Sequence, residues 1–260
     1  MENLTFTWTS LFTAAISGGA VAKIADHLVS WIGRLRKERK SAKSVVDAHL
    51  DPLLKAADAI SGKTISLAER DFIPLSGRDD AATHSLDPDL IGLTYLYANF
   101  WSRIEILERE SLGISLSVDK RGRKLSKFIA CLGSKQIRLV NRTHQKAIGE
   151  IASQVLSTGG LRTIGVVEFG EIITSNESAK KWCAPLTQLL SDTTTKATRQ
   201  KLLVYGVVLH ALVDTLDPTH LSTHERPSYP NKLSNESKRR VKHLIFGEYL
   251  KGIDAHNNYT

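Results

Sequence analysis

The spacing of apolar side chains divides the chain into helices. Between Asp89 and Glu110, Leu93, Leu96, Tyr97, Phe100, Ile104 and Leu107 recur at steps of three and four. That period puts them on one helical face and predicts a buried stripe. Asp87-Pro88 just before it combines an N-cap aspartate with a proline suited to the first helical position. The same dipeptide at Asp51-Pro52 and Asp217-Pro218 predicts either a helix start or a plain turn. Leu53, Leu54, Ala57 and Ile60 form a further helical stripe, as do Leu125, Phe128, Ile129 and Leu132 after the basic stretch that opens at Lys120. Helices are expected over about Asn141–Leu156, Ala179–Leu190, Lys196–Leu216 and Glu236–Lys251. The run from Leu202 to Val213 is apolar except for His210 and predicts a helix buried on all sides. Leu161–Thr174 is rich in branched residues but holds Gly165 and Gly170, which leaves a short strand and an irregular buried segment both open. Ile73–Leu86 and Leu221–Leu233 read as loops.

The first 43 residues follow a different pattern. Leu4 to Ala22 carries no charged side chain, and its length is close to the roughly 20 residues that a membrane-crossing helix needs. Six threonines and serines dilute its hydrophobicity. From Val21 to Leu35, Lys23, Asp26, His27 and Ser30 share one face, and Ile24, Leu28, Trp31, Ile32 and Leu35 share the other, which is amphipathic. Ala14, Gly18 and Ala22 recur every fourth residue, a spacing that lets two helix backbones approach and so points to a homo-oligomer. The expected architecture is mainly α. An N-terminal anchor or amphipathic helix (residues 1–43) precedes a multi-helix, bundle-like domain (residues 44–260) with room for one short strand.

Charge sharpens that division. The formal net charge is +8, and two short runs, Arg34–Lys43 and Lys238–Lys242, account for all of it. The first run supplies Arg34, Arg36, Lys37, Arg39, Lys40 and Lys43 directly after the apolar segment. A basic collar in that place favours anionic lipid headgroups and marks the cytoplasmic side of a membrane. This predicts membrane lipid as a partner and a body on the inner face of a cytoplasmic membrane, its N-terminus outside. The alternative is a cytoplasmic protein whose first helix is only amphipathic. A broad basic face interleaved with aromatics is missing, which argues against nucleic acid as the partner.

Candidate chemistry concentrates in two helices. Arg103, Glu105 and Arg109 lie on one, and Arg142, Gln145 and Glu150 on the other. Facing each other, they would build a polar network or hold a small anion between arginines. Gly149 lies just before Glu150, and glycine inside a helix marks close packing. The segments YANFWSRIEILERE and RTHQKAIGE, together with the apolar N-terminal stretch, resemble a group of bacterial helical proteins of no established function. Members of that group carry a predicted N-terminal membrane helix. The resemblance spans roughly Leu4 to Ala152 and implies no activity, ligand or catalytic residue.

A second polar group gathers His210, Asp214, Asp217, His220 and His224. It lacks the glutamate of HExxH, so a surface turn with one core histidine accounts for it better than a metal site. GxxxxGK[ST], GxGxxG and GxSxG are absent. Cys131 and Cys183 have apolar neighbours and the character of packing residues. No cofactor, metal or catalytic residue is expected. The leading expectation is a membrane-associated, non-catalytic scaffold, sensor or effector subunit. A ligand-binding module or enzyme using Arg103/Arg142/Glu150 or His210–His224 comes second, and a nucleic-acid binder working through the basic clusters comes third.

Overall fold

The computed structural model describes residues 20–73, 87–227, 232–253 and 256–259. Within them, eight α-helices and one two-stranded sheet form a mainly α-helical fold. The helices are α1 (Ala20–Glu69), α2 (Pro88–Glu110), α3 (Lys120–Leu132), α4 (Arg142–Ile151), α5 (Val166–Ser175), α6 (Glu177–Ser191), α7 (Lys196–Leu216) and α8 (Asn235–Arg239). Strand β1 (Ser153–Val155) pairs antiparallel with β2 (Leu161–Thr163) between α4 and α5. A π-helical segment (Arg240–Tyr249) continues α8. The segment Leu161–Thr174 thus divides into β2 and the greater part of α5, and the expected single strand is a hairpin.

Side-chain caps explain most helix starts. Asp87 accepts from Asp89 N, Asp119 from Arg121 N and Gly122 N, and Asn141 from Thr143 N. Asn176, Thr195 and Ser234 cap α6, α7 and α8 in the same way. Each satisfies a backbone donor that the helix leaves unpaired in its first turn. Asp51-Pro52 behaves otherwise. It opens no helix, because Pro52 lies inside α1. Asp217-Pro218 opens a turn instead. The Asp217 carboxylate accepts from the backbone N–H groups of Leu221, Ser222 and Thr223 and from the Thr223 hydroxyl. Desolvation pushes its pKa up, but these four bonds more than offset that and leave it below the ordinary aspartate value.

Helix α7 is the centre of the core. Every residue from Leu202 to Val213 is buried. It packs against α1 and α3, while α2 packs against α1, α4, α5 and α6. Trp101 and Tyr205 join the two groups. The Trp101 indole N–H donates to the Tyr205 hydroxyl at 3.0 Å, and Tyr97 stacks obliquely on both rings. Cys131 and Cys183 are both buried, and burial pushes each thiol up to about 12, so neither is an activated nucleophile.

At about 1.5 Å per residue, the 50 residues of α1 run for about 75 Å. Burial begins at Ala42 and then recurs at Val46, Leu50, Leu53, Leu54, Ala57 and Ile60. Between residues 29 and 41 the helix has no buried side chain. Val29, Trp31 and Ile32 are 70%, 58% and 41% exposed, and Arg34, Arg36, Lys37, Arg39 and Lys40 are exposed with them. The helix is unbroken across the expected boundary between residues 43 and 44. Among the described residues no helix is long and apolar enough to cross a membrane. Most of the apolar segment Leu4–Ala22, including Ala14, Ala15, Gly18 and Gly19, lies outside the described residues.

Candidate functional site

Helices α2 and α4 pack closely because Gly149 allows it. A Cβ at that position would sit 2.8 Å from the Trp101 carbonyl oxygen and 3.0 Å from Glu105 Cγ. The glycine lets the α4 backbone rest on α2 one turn from Glu105. Beside this contact, α2, α3 and α4 enclose a cavity of about 460 Å³, within the range of roughly 300–1,000 Å³ usual for small-molecule sites. Ile104, Leu107, Leu116, Ile129 and Leu132 supply its apolar wall, and Trp101 and Tyr205 close the inner end. Glu105, Glu108, Ser134, Arg142, Gln145 and Lys146 bring polar groups to it.

Three of the six residues expected from the sequence therefore meet at one cavity: Glu105, Arg142 and Gln145. Two more form an ion pair across the same helix contact, Arg109 Nη2 to Glu150 Oε1 at 2.8 Å, with both side chains nearly half exposed. Exposed pairs of this kind contribute about 0.2–1 kcal/mol. Arg103 does not join them. It is absent from the cavity wall, and its Nε is buried with no hydrogen-bond partner. Burial lowers its pKa, and Tyr95 rather than a residue of the cavity opposes that shift. A step of two along α2 separates Arg103 from Glu105, and residues two apart on a helix do not share a face. Lys146, one turn or less from Arg142 and Gln145 in the sequence, also belongs to the cavity, and so does Tyr205, which was not singled out from the sequence. Tyr205 reaches the cavity from α7, about sixty residues away along the chain.

Two side chains give the cavity its chemical character. Glu105 is 7% exposed, and Lys146 Nζ lies 3.6 Å from its Oε2. Burial raises the Glu105 pKa, Lys146 opposes that rise, and the Glu108 and Glu150 carboxylates add to it. Gln145 is 8% exposed, and its Nε2 donor has no partner. A buried amide that leaves a donor unpaired loses about 1–3 kcal/mol of hydration. The Ser134 hydroxyl is likewise without a partner. The cavity thus joins an apolar wall to unpaired donors and a carboxylate whose pKa burial raises.

The His210–His224 group becomes two sites. His224 Nδ1 and Arg226 both donate to Asp58 on α1, with the guanidinium Nε 2.5 Å from Oδ1 and Nη2 3.0 Å from Oδ2. His210 Nε2 and His220 Nε2 lie 3.6 and 3.7 Å from Asp214 Oδ1, and the Tyr259 hydroxyl donates to Asp214 Oδ2. Burial holds the His210 pKa below its usual value. No group of three or more His, Cys, Asp or Glu side chains among the described residues has metal-binding geometry.

No protein-family model matches the chain, and neither curated proteins nor solved structures provide a similar one. The functional reading therefore rests on this geometry.

Proposed function

We propose that the protein is a non-catalytic helical module held at a membrane surface by the projecting half of α1, with the packed body carried beneath it. The observation that supports this is the exposure of Val29, Trp31 and Ile32 on a segment of α1 in which no side chain between residues 29 and 41 is buried. Apolar side chains exposed in a row mark a surface that meets another surface. The basic residues Arg34, Arg36, Lys37, Arg39 and Lys40 begin two positions further on, and their charge suits an anionic interface at about 1 kcal/mol per residue near it. Tryptophan is suited to the headgroup level, where one edge of its ring stays wet. On this reading the N-terminal segment inserts or lies in the same interface, and the body faces the cytoplasm.

The test is co-sedimentation of the full chain with vesicles. Binding to phosphatidylglycerol-containing vesicles is expected, weaker at high salt and weaker on phosphatidylcholine alone. Trp31→Ala combined with Arg36→Gln, Lys37→Gln and Arg39→Gln lowers the bound fraction. A full chain that stays in the supernatant at every salt concentration overturns the reading.

A second reading is favoured by Gln145. Its unpaired donor in the cavity between α2 and α4 suits a small ligand with an apolar body and one acceptor group, which would make the module a sensor.

A further inference from the structure

A second and larger recess lies between the α3–α4 connection, the first half of α7 and the α8 segment. It has a volume of about 890 Å³, and Lys135, Arg138, Lys196, Lys201 and Arg240 line it, with Glu236 the one carboxylate among the described residues. Five cations thus converge from three places distant in the sequence: the α3–α4 connection, the start of α7 and the end of α8. None of the five forms an ion pair within 4.0 Å among the described residues. The contrast with the exterior of α1–α3 is direct, because there Arg121 is matched by Asp47 and Asp119, and Lys55 by Asp51. An arrangement of like charges in a concave site raises the electrostatic energy of the folded chain, and a bound counter-charge offsets it.

Two helix starts add to the same field. Asn141 caps α4 and Lys196 opens α7, and both line the recess. The partial positive charge at each N-terminus therefore adds to the side-chain charge. Lys201 shows the effect on a lysine already in place. Its Nζ donates to the Leu139 carbonyl at 2.7 Å. Partial desolvation first, then the charges of Arg240 and Arg138, lower its pKa.

We propose that this recess binds a compact, multiply charged phosphate group. Arg138 and Arg240 supply planar forks that match phosphate oxygens, and Lys135, Lys196 and Lys201 supply point charges around them. Among the described residues the wall contains no aromatic side chain, so they offer no stacking surface for a nucleobase. The recognised element is the phosphate cluster itself, whether free in solution or carried on a phosphorylated lipid headgroup. The site is separate from the exposed collar on α1, so it stands or falls independently of the membrane reading.

The experiment is calorimetric titration of the full chain with sodium tripolyphosphate at low ionic strength. Saturable binding is expected, weakening as salt rises and as the charge of the probe is reduced to that of inorganic phosphate. Arg138→Gln with Lys201→Met weakens it at least about tenfold, the loss of one charge-assisted contact or more, while the ligand-free chain keeps a cooperative thermal transition. Should that variant not fold, Lys196→Gln with Arg240→Gln carries the same test, because both side chains are exposed. Vesicles containing phosphatidylinositol bisphosphate distinguish the sources. Binding that free tripolyphosphate displaces, and that the recess variants lose while the collar variant keeps it, assigns a lipid headgroup. Tripolyphosphate binding without such vesicle binding assigns a free anion. Absence of tripolyphosphate binding, equal binding by the recess variants, or binding confined to a DNA or RNA oligonucleotide overturns the proposal.

Discussion

Asp58 and Gln145 are both buried polar side chains on helices, and their surroundings differ in kind. Asp58 sits on α1 with both carboxylate oxygens occupied, by the Arg226 guanidinium and by His224. Gln145 sits on α4 with its amide donor unpaired beside a cavity. Their neighbouring acids titrate in opposite directions. Burial pushes the Asp58 pKa up, but the Arg226 and His224 hydrogen bonds and charges more than offset it, so the net value lies below 3.8. Burial pushes Glu105 above 4.5 and is only partly opposed by Lys146. The first arrangement closes its own electrostatics and serves the fold, because it ties the turn after α7 to α1. The second leaves a group that water or a ligand must satisfy.

The largest expected effect comes from breaking the closed site. Arg226→Ala leaves the Asp58 carboxylate buried with only the largely exposed His224 as a partner. A cost of about 3 kcal/mol is expected, toward the low end for a disrupted buried pair because Arg226 retains some exposure. Urea unfolding at neutral pH measures it. The sign of the pH dependence follows from the lowered pKa. The stabilisation by Asp58 is fully present above 3.8 and is lost as pH falls through the folded-state value. The variant is therefore expected to lose less stability on acidification than the parent. A parallel acid limb in the two proteins would show that Asp58 is not held by Arg226 in solution.

Gly149 tests how the open site is built. Gly149→Ala brings a methyl group within 2.8 Å of the Trp101 carbonyl oxygen, which is backbone and cannot swing aside. Separating α2 and α4 to admit it costs about 2 kcal/mol, within the range for overpacking a close contact. A thermal midpoint unchanged from the parent would mean that the two helices are not seated as described. If the contact is as described, the substitution also widens the cavity wall at Glu105, which touches Gly149.

Much of this was legible in the sequence, for identifiable reasons. The periodic faces of α2 and α7 follow from spacing alone, and their bounds agree with expectation to within a residue or two. Gly149 signalled close packing because a glycine inside a good helical pattern has a cost that something must justify. Asp51-Pro52 misled because a proline at a helix start and a proline inside a long helix look alike locally. The packing of Leu50, Leu53 and Leu54 against the core keeps α1 continuous through Pro52. The polar network was legible only in part. Glu105, Arg142 and Gln145 converge as their helix positions allow, but the choice of Arg103 came from its type rather than its face. The pairing of Asp58 with Arg226 had no local signal, because the two lie 168 residues apart. The recess around Lys201 was hidden for the same reason, since no segment that contributes to it is strongly basic by itself except Lys238–Lys242.

The smallest expected effect separates the two sites most sharply. Gln145→Leu keeps the side-chain volume near constant and removes a donor that has no partner in the protein. Replacing such a group is neutral or slightly stabilising, by about 0.5 kcal/mol, because its lost hydration is no longer paid for in the folded state. The matching change at the closed site, Asp58→Leu, destabilises instead, since it strands the Arg226 guanidinium. Opposite signs from two buried polar-to-leucine substitutions would establish that one side chain maintains the fold and the other does not. The fluorescence of anilinonaphthalene sulfonate then reports on what Gln145 does maintain. If its amide is kept for a ligand acceptor, the parent binds the sulfonate probe saturably and Gln145→Leu binds it more weakly despite equal or greater stability. Equal binding by both proteins would leave the cavity as packing space and return Gln145 to the structural role already served by Asp58.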